Sequence, residues 1–197
     1  IDVLQKLKNH EHNKAPLGPN QGRGMALGYW MHGGGLSSVT AILQDDGTIS
    51  IATGNPDIGG SRSSMRAMAA EELGIDIELV KPIVADTGSL PYSHLTAGSR
   101  TTFATGIAVV NATREVIQKL CELAAKIWDT DMKSVSWEAG QAIPALSIEE
   151  DLKPLTLKEL AGRATKMGGP IAGHSEINAG GAGAAFSAQL VDVEVDP

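Results

Sequence analysis

Two short segments of this sequence carry residue types that bind anions, and they follow the same pattern. Residues 60–64 read Gly-Ser-Arg-Ser-Ser, and residues 98–102 read Gly-Ser-Arg-Thr-Thr. Each is a glycine-containing turn followed by a helix-favouring run, so each predicts a helix N-terminus with Ser61 or Ser99 as its capping residue. Backbone N–H groups of a first helical turn have no intrahelical acceptor, and such groups bind anions.

An arginine follows each predicted cap. A cation in the first turn opposes the helix dipole, which costs about a few tenths of a kcal/mol. Because Arg62 and Arg100 occupy the same offset, the pattern predicts an anion held between the two helix starts by N–H groups and by both guanidinium groups. We call this predicted site the phosphate cradle. Glycine turns also begin helices for purely structural reasons, and that interpretation is the alternative.

The segments around the two turns predict the strands that must position them. Residues 25–30 are apolar, and residues 37–43 and 48–53 alternate between apolar and polar around a turn at residues 45–47. This alternation predicts a hairpin that leads directly into the first glycine turn. Further strands are predicted at residues 79–85, 135–137, 142–146, 171–177 and 185–195.

Helices are predicted from periodicity and capping. Short helices are expected in residues 1–14 and 65–73, and Thr156 with Glu159 forms a capping box for a helix that ends at residues 168–170. The longest predicted helix covers residues 103–128. Its apolar stripe consists of Phe103, Ile107, Val110, Ile117, Leu120, Cys121, Ala124 and Trp128. Strands outnumber helices without regular alternation, so the expected fold class is α+β, with a mixed, largely antiparallel sheet and two to three packed helices.

The composition of the chain limits the kinds of molecule that it is expected to bind. The net charge of −7 argues against nucleic acid and anionic membrane as partners. No segment has the length of a membrane helix, and no signal peptide is visible. The single cysteine, Cys121, excludes an intrachain disulfide framework, so a reducing, cytoplasmic location is expected.

The order of motifs around the two turns resembles a known enzyme family. Thr53-Gly54 is followed by Asp-Ile-Gly-Gly at residues 57–60, Ala-Ala-Glu-Glu-Leu-Gly at residues 69–74 and Thr-Ala-Gly-Ser-Arg-Thr-Thr at residues 96–102. This order is similar to that of the molybdopterin-binding large subunit of the xanthine dehydrogenase/aldehyde oxidase family, which includes bacterial carbon monoxide and nicotinate dehydrogenases. In weaker form the resemblance covers residues 22–197.

The resemblance implies that both turns contact a molybdopterin cofactor. The candidate cofactor-binding residues are Gly59, Gly60, Ser61, Arg62, Thr96, Ala97, Gly98, Ser99, Arg100 and Thr101. The family's first loop reads acid-x-Gly-Gln-Gly-x-x-Thr, and its glutamine contacts the cofactor, whereas this chain has Gly60 there. Glycine lacks the amide hydrogen bond but permits close backbone approach. The second loop, residues 96–101, keeps the family pattern.

The resemblance also implies an activity and partners. The family hydroxylates heterocycles or aldehydes, and its bacterial members commonly carry molybdopterin in the cytosine dinucleotide form. Implied partners are the rest of the large subunit, iron-sulfur and FAD subunits or domains, and a small-molecule substrate. We expect a fragment of such a subunit, with residues 1–21 as an N-terminal helix and linker and residues 22–197 as part of the molybdopterin-binding domain.

The family's catalytic glutamate lies in a segment beyond the position that corresponds to Pro197. No catalytic residue and no metal ligand is therefore assigned in this chain, and the isolated chain is expected to lack both cofactor and turnover. The alternative is a non-catalytic α+β module that binds a phosphate, a nucleotide or another protein.

Overall fold

The computed structural model describes residues 2–84, 86–145 and 152–197. In chain order the α-helices are α1 (Asp2–Asn9), α2 (Glu11–Lys14), α3 (Ser61–Leu73), α4 (Gly106–Ile127) and α5 (Leu157–Met167). The strands are β1 (Gln21–His32), β2 (Gly35–Leu43), β3 (Ile49–Thr53), β4 (Val80–Val84), β5 (Val135–Glu138), β6 (Gln141–Pro144), β7 (Leu155–Thr156), β8 (Ala172–Ala179) and β9 (Ala182–Glu194). Mixed sheets and packed helices confirm the α+β class.

The chain divides into two compact units. One consists of Ile1–Gly33 with Gly181–Pro197, and the other is Gly34–Gly180. The domain boundary after residue 21, which the sequence predicted, stays a prediction. Residues 85 and 146, the predicted ends of two strands, lie outside the described residues, as does residue 1 at the start of the first predicted helix.

The first unit is built on an antiparallel ribbon of β1 and β9. At one end Arg23 donates to both carboxylate oxygens of Asp192, at 2.7 and 2.8 Å. These hydrogen bonds raise the pKa of Arg23 and lower that of Asp192.

One face of the ribbon is apolar. Tyr29 and Phe186 lie directly opposite each other on the two strands, so their side chains share a face, and their rings are 5.5 Å apart. Leu27, two residues before Tyr29, is 61% exposed. The ribbon therefore carries a row of exposed apolar side chains.

The second unit is centred on a four-stranded sheet of order β4-β3-β2-β8. β2 pairs antiparallel with β3 and β8, whereas β4 pairs parallel with β3. A parallel pair needs a crossover connection, and α3 provides it. The alternating residues Val39, Ala41 and Leu43 of β2 are all buried, as their spacing predicted. α4 packs on β2 and β8, and α3 packs on β4 and α4, so both helices that follow the glycine turns are anchored to the core.

The buried face of α4 differs from the predicted stripe. Leu120, Cys121 and Ala124 are buried, but Ile107 is 38% exposed, and Phe103, Val110, Ile117 and Trp128 are only partly buried. The core face instead consists of Ala108, Val109, Ala112, Thr113, Val116, Leu120, Leu123 and Ala124. The reason is close packing against β8, because a Cβ at Gly173 would lie 2.0 Å from the carbonyl oxygen of Ala112. Small side chains on α4 let its backbone approach that of β8 closely, so side-chain size determines which face of α4 is buried.

A three-stranded antiparallel sheet, β5-β6-β7, completes the second unit. β5 and β6 confirm the second predicted hairpin. The predicted capping box is confirmed at α5, where Thr156 Oγ1 accepts from the Glu159 N–H at 3.3 Å and Glu159 Oε2 accepts from the Thr156 N–H at 2.8 Å. These two hydrogen bonds satisfy donors that the first helical turn leaves free.

Candidate functional site

The two glycine turns lie side by side and line one cavity of about 350 Å³. Its lining consists of Ile58, Gly59, Gly60, Ser61, Ser64, Thr96, Ala97, Ser99, Arg100, Thr101 and Thr102. Eight of the ten predicted site residues are in this set, and Arg62 and Gly98 are not. The structure thus brings both predicted segments together, although they are separated by more than thirty residues in the sequence.

The first loop is organised by Asp57. Its Oδ1 accepts from the N–H groups of Gly59 and Gly60, at 3.1 and 2.8 Å, and from the Ser61 hydroxyl at 3.2 Å. Gly60, with φ of 93°, is the N-cap residue of α3, so the prediction that Ser61 caps this helix is wrong. Ser61 is the first helical residue, and its hydroxyl donates to Asp57 instead of accepting from the backbone.

Asp57 also determines the charge of the first loop. Its pKa is lowered to about 2, chiefly by the hydrogen bond from the Gly59 N–H, with further contributions from Arg62 and Gly60. Arg62 Nε lies 3.2 Å from Asp57 Oδ2. The first loop therefore already contains a carboxylate that takes two of its backbone donors and pairs with its arginine. Beyond these, the N–H groups of Arg62 and Ser63, in the first turn of α3, have no intrahelical acceptor.

The second loop enters its helix differently. Ser99 has φ of 57°, in the left-handed region, and Arg100 takes the cap position, so the prediction that Ser99 is the cap is also wrong. A π-helical turn, Thr101–Thr105, follows and leads into α4. π-helical turns widen the backbone spiral and are frequent at functional sites.

Arg100 is buried, with 3% of its surface exposed. All three guanidinium nitrogens donate within the protein, to the carbonyl oxygens of Gly34, Leu36, His94 and Leu95 and to Ser37 Oγ, at 2.6–3.3 Å. Burial lowers the pKa of this arginine. The prediction that the Arg100 guanidinium faces an anion is therefore wrong, since its donors are occupied by the protein's own acceptors. Arg100 as a cofactor-binding residue through another part of its structure stays a prediction.

A chain of buried polar side chains continues from this guanidinium. Ser37 Oγ lies 3.1 Å from Thr105 Oγ1, which donates to Asn55 Oδ1 at 2.6 Å, and Asn55 Nδ2 lies 3.3 Å from Thr96 Oγ1. Sequence reasoning missed Ser37, Asn55 and Thr105, because their partners are 41 to 68 residues away and no local pattern marks them. It also missed the role of Asp57, although an aspartate two residues before a Gly-Gly pair is typical of a turn in which the carboxylate accepts from the following N–H groups.

The cavity lining offers hydrogen bonds and little charge. Six hydroxyl-bearing residues are in its lining, namely Ser61, Ser64, Thr96, Ser99, Thr101 and Thr102. A Cβ at Gly59 or Gly60 would meet no heavy atom within 4 Å, so the backbone of this turn is sterically accessible. Hydroxyl-bearing side chains, an accessible glycine backbone and the free N–H groups of a helix start match the hydrogen-bonding edges of a pterin or a phosphate, so the residues present fit such a group.

The described residues form neither a metal-binding cluster nor a membrane-spanning helix. Among residues 2–84, 86–145 and 152–197, no three His, Cys, Asp or Glu side chains converge as a metal site would require. In the same part of the chain, every helix is too short or too polar to cross a bilayer.

Comparison with known proteins finds a match to one domain family over nearly the whole chain. The family model for the molybdopterin cofactor-binding domain matches residues 2–197. The chain is 26% identical over 172 residues to the xanthine dehydrogenase molybdenum-binding subunit of Escherichia coli O157:H7, covering 85% of this chain and 23% of that protein. It is 32% identical over 82 residues to the carbon monoxide dehydrogenase large chain of Hydrogenophaga pseudoflava, covering 42% of this chain and 10% of that protein.

Solved structures share the fold. The Cu,Mo-CO dehydrogenase in its carbon monoxide-reduced state superposes with a TM-score of 0.76 and 19% identity, covering 98% of this chain and 26% of that chain. Quinoline 2-oxidoreductase from Pseudomonas putida 86 superposes with a TM-score of 0.73 and 15% identity, covering 98% of this chain and 27% of that chain. In each case the chain spans at most about a quarter of the relative's length.

Proposed function

This chain belongs to the molybdopterin cofactor-binding domain family, and we propose that it is part of a molybdenum hydroxylase large subunit, in which it helps to bind the cofactor. The observation that carries the proposal is the cavity that both glycine loops line, in a chain that matches the family over residues 2–197. When bound, the cofactor supplies the molybdenum centre for oxidative hydroxylation, and we propose a heterocycle or an aldehyde as the substrate class.

The residues proposed to hold the cofactor are the ten predicted from the sequence, with the two loops in different roles. Residues 96–101 keep the family pattern, and residues 99–102 line the cavity. Residues 59–62 contribute an accessible glycine backbone beside the Asp57 carboxylate. We propose the cytosine dinucleotide form of molybdopterin, whose diphosphate would be bound by N–H and hydroxyl groups rather than by the Arg100 guanidinium.

The proposed partners follow from the same assignment. They are the rest of the large subunit, iron-sulfur and FAD subunits or domains, and a small-molecule substrate, in the cytoplasm. The relative in Escherichia coli O157:H7 is described as a molybdenum-binding subunit, and this chain covers 23% of it. The exposed apolar row on β1 and β9, with Leu27 61% and Tyr29 64% exposed, supports burial against another part of that subunit, because large apolar patches mark interaction surfaces.

The test is a titration of the isotope-labelled chain with cytidine 5′-diphosphate, followed by backbone amide chemical shifts. Inorganic phosphate is titrated in parallel. We expect shifts at residues 58–64 and 96–102, with millimolar affinity for phosphate, because a few hydrogen bonds of about 1.5–3 kcal/mol each must offset the cost of association. The nucleotide should bind more tightly because its other groups add contacts.

A matched pair of variants sharpens this test. Thr102→Val removes a hydroxyl at the cavity, and Thr130→Val removes one elsewhere. Thr102→Val should weaken nucleotide binding about tenfold, as expected for the loss of one hydrogen bond to a charged group, and Thr130→Val should leave it unchanged. Shifts confined to other parts of the chain would contradict the proposal and favour the non-catalytic interaction module.

A further inference from the structure

The loop before α4 lies against β2 through a small number of backbone contacts. The Ser38 N–H donates to the Tyr92 carbonyl at 3.0 Å, and the His94 N–H donates to the Leu36 carbonyl at 3.0 Å. Beyond the bridge between Ser37 and Ser93, this loop has no regular strand pairing within the described chain. Residues 91–100 therefore need other interactions to maintain the position from which Thr96 and Ser99 line the cavity.

The Arg100 guanidinium supplies such interactions on both sides of the loop. On the β2 side it donates to the Gly34 and Leu36 carbonyl oxygens and to Ser37 Oγ, at 2.7, 2.6 and 2.6 Å. On the loop side it donates to the carbonyl oxygens of His94 and Leu95, at 3.1 and 3.3 Å. A planar group with five N–H donors can connect this many acceptors at fixed angles, whereas a lysine ammonium cannot.

The hydrogen bonds of the buried polar side chains beyond Ser37 all run in one donor-to-acceptor direction. Ser37 Oγ accepts from Arg100, and Thr105 Oγ1 donates to the Asn55 carbonyl oxygen, so the Ser37 hydroxyl donates to Thr105. The Asn55 amide then donates to Thr96 Oγ1, at 3.3 Å. Each link of this path joins one donor to one acceptor, and a hydrogen-bonded polar network in a buried setting favours one arrangement of its members. The path ends at Thr96, which lines the cavity.

We propose that Arg100 is a positioning residue: with Ser37, Thr105 and Asn55 it holds the loop of residues 91–100 against β2, so that the cavity is formed before a ligand binds. Arg100 does not contact the ligand through its guanidinium, because that group is directed at the protein's own carbonyl oxygens. The inference rests on the proposed function for its biological meaning, since the loop that it positions is half of the proposed cofactor site.

The first experiment is amide hydrogen exchange of the ligand-free chain and of two variants at one position. Thr105→Val keeps the volume but removes the hydroxyl, and Thr105→Ser keeps the hydroxyl. Thr105→Val should accelerate exchange of the Ser38 and His94 amides at least tenfold, and Thr105→Ser should restore rates close to those of the unmodified chain. Amides of α5 serve as the internal control and should be unaffected in both variants.

Two results would overturn the inference. Equal acceleration in both Thr105 variants would show that packing, and not the hydroxyl, matters at this position. Acceleration that reaches α5 to the same extent would show that the network stabilises the whole unit without positioning the loop.

The second experiment separates positioning from ligand contact. Arg100→Lys retains the positive charge but loses the planar donor group, and Arg114→Lys, at an exposed pair with Glu72, is the matched control. Arg100→Lys should accelerate exchange at His94 as the Thr105→Val change does, and Arg114→Lys should not. Normal exchange at His94 in Arg100→Lys would contradict the positioning role. If the exchange results are as expected but cytidine 5′-diphosphate leaves residues 96–102 unshifted, the proposed function fails and the positioning role stands.

Discussion

Asp57 supplies its own loop with the negative charge that a bound anion would otherwise provide. Three donors from residues 59–61 and the Arg62 guanidinium converge on its carboxylate. At the second loop, Arg100 donates to neutral carbonyl oxygens instead. Two arginines at the same offset in similar sequence patterns therefore have different roles, because one has a carboxylate within reach and the other has the backbone of β2.

The low pKa of Asp57 gives a testable pH dependence. The pKa is lowered from 3.8 to about 2 in the folded chain, so ionised Asp57 stabilises the fold fully above about pH 4. That contribution decreases as the pH falls through the folded-state pKa. We expect the Asp57 carboxyl carbon to titrate with a midpoint of about 2 in an NMR pH titration.

The Asp57→Asn variant identifies this signal, since it removes one titrating carboxyl group. The variant should also increase hydrogen exchange at Gly59 and Gly60, whose N–H groups lose a charged acceptor. A midpoint near 4 would show that the loop leaves this carboxylate unbonded in solution.

At the scale of elements, α4 couples the second loop to the core. It begins after a π-helical turn, packs on β2 and β8, and presents a face of small residues to the sheet. The close approach at Gly173 fixes which residues meet the strands. Larger residues such as Ile117 lie at the margin of the packed face, where they contact the core only in part.

This arrangement predicts unequal effects of truncating two aliphatic residues of α4. Leu120 is fully buried, and Leu120→Ala should lower the free energy of unfolding by about 2–5 kcal/mol. Ile117→Ala should cost clearly less, because its side chain is partly buried and solvent can fill the space. Denaturant unfolding of both variants measures the difference, with Ile107→Ala, at a position 38% exposed, as the surface control. Equal losses at positions 117 and 120 would contradict the packing described for this helix.

At the scale of the whole molecule, the chain covers only a small share of the length of its relatives. It covers 23% of one molybdenum-binding subunit and 26% of a CO dehydrogenase chain with the same fold. The cavity lining consists mainly of glycine, alanine and hydroxyl-bearing residues, together with Ile58 and Arg100, and this composition suits the binding of a cofactor. We propose that the chain contributes to cofactor binding as part of a larger subunit.

This assignment predicts that the isolated chain is purified without molybdenum and has no hydroxylase turnover. The reason is that the chain covers 23% of a molybdenum-binding subunit, so in isolation it supplies only a share of the contacts that such a subunit provides. Metal analysis of the purified chain, combined with dye reduction in the presence of an aldehyde or a purine, checks both statements. Near-stoichiometric molybdenum together with turnover would overturn the prediction.

The sequence alone determined the features that depend on neighbouring residues. The hairpin around residues 45–47, the capping box of Thr156 and Glu159, and the helices after both glycine turns are confirmed, because each rests on hydrogen bonds or periodicity within a few positions. The α+β class is confirmed for the same reason, since it follows from the number and order of such elements. The assignment of the ten site residues to a cofactor stays a prediction, although the structure brings eight of them to one cavity.

Only the tertiary structure decided where the charged and buried groups point. The Arg100 guanidinium reaches acceptors 63 to 66 residues away, on β2 and at Gly34 immediately before it, and those acceptors are arranged by the pairing of β2 with its neighbouring strands. The core face of α4 likewise depends on how closely β8 approaches. A local pattern specifies that a helix begins at a glycine turn, but the direction of a long side chain is chosen by whichever unsatisfied acceptors the rest of the fold places within its reach.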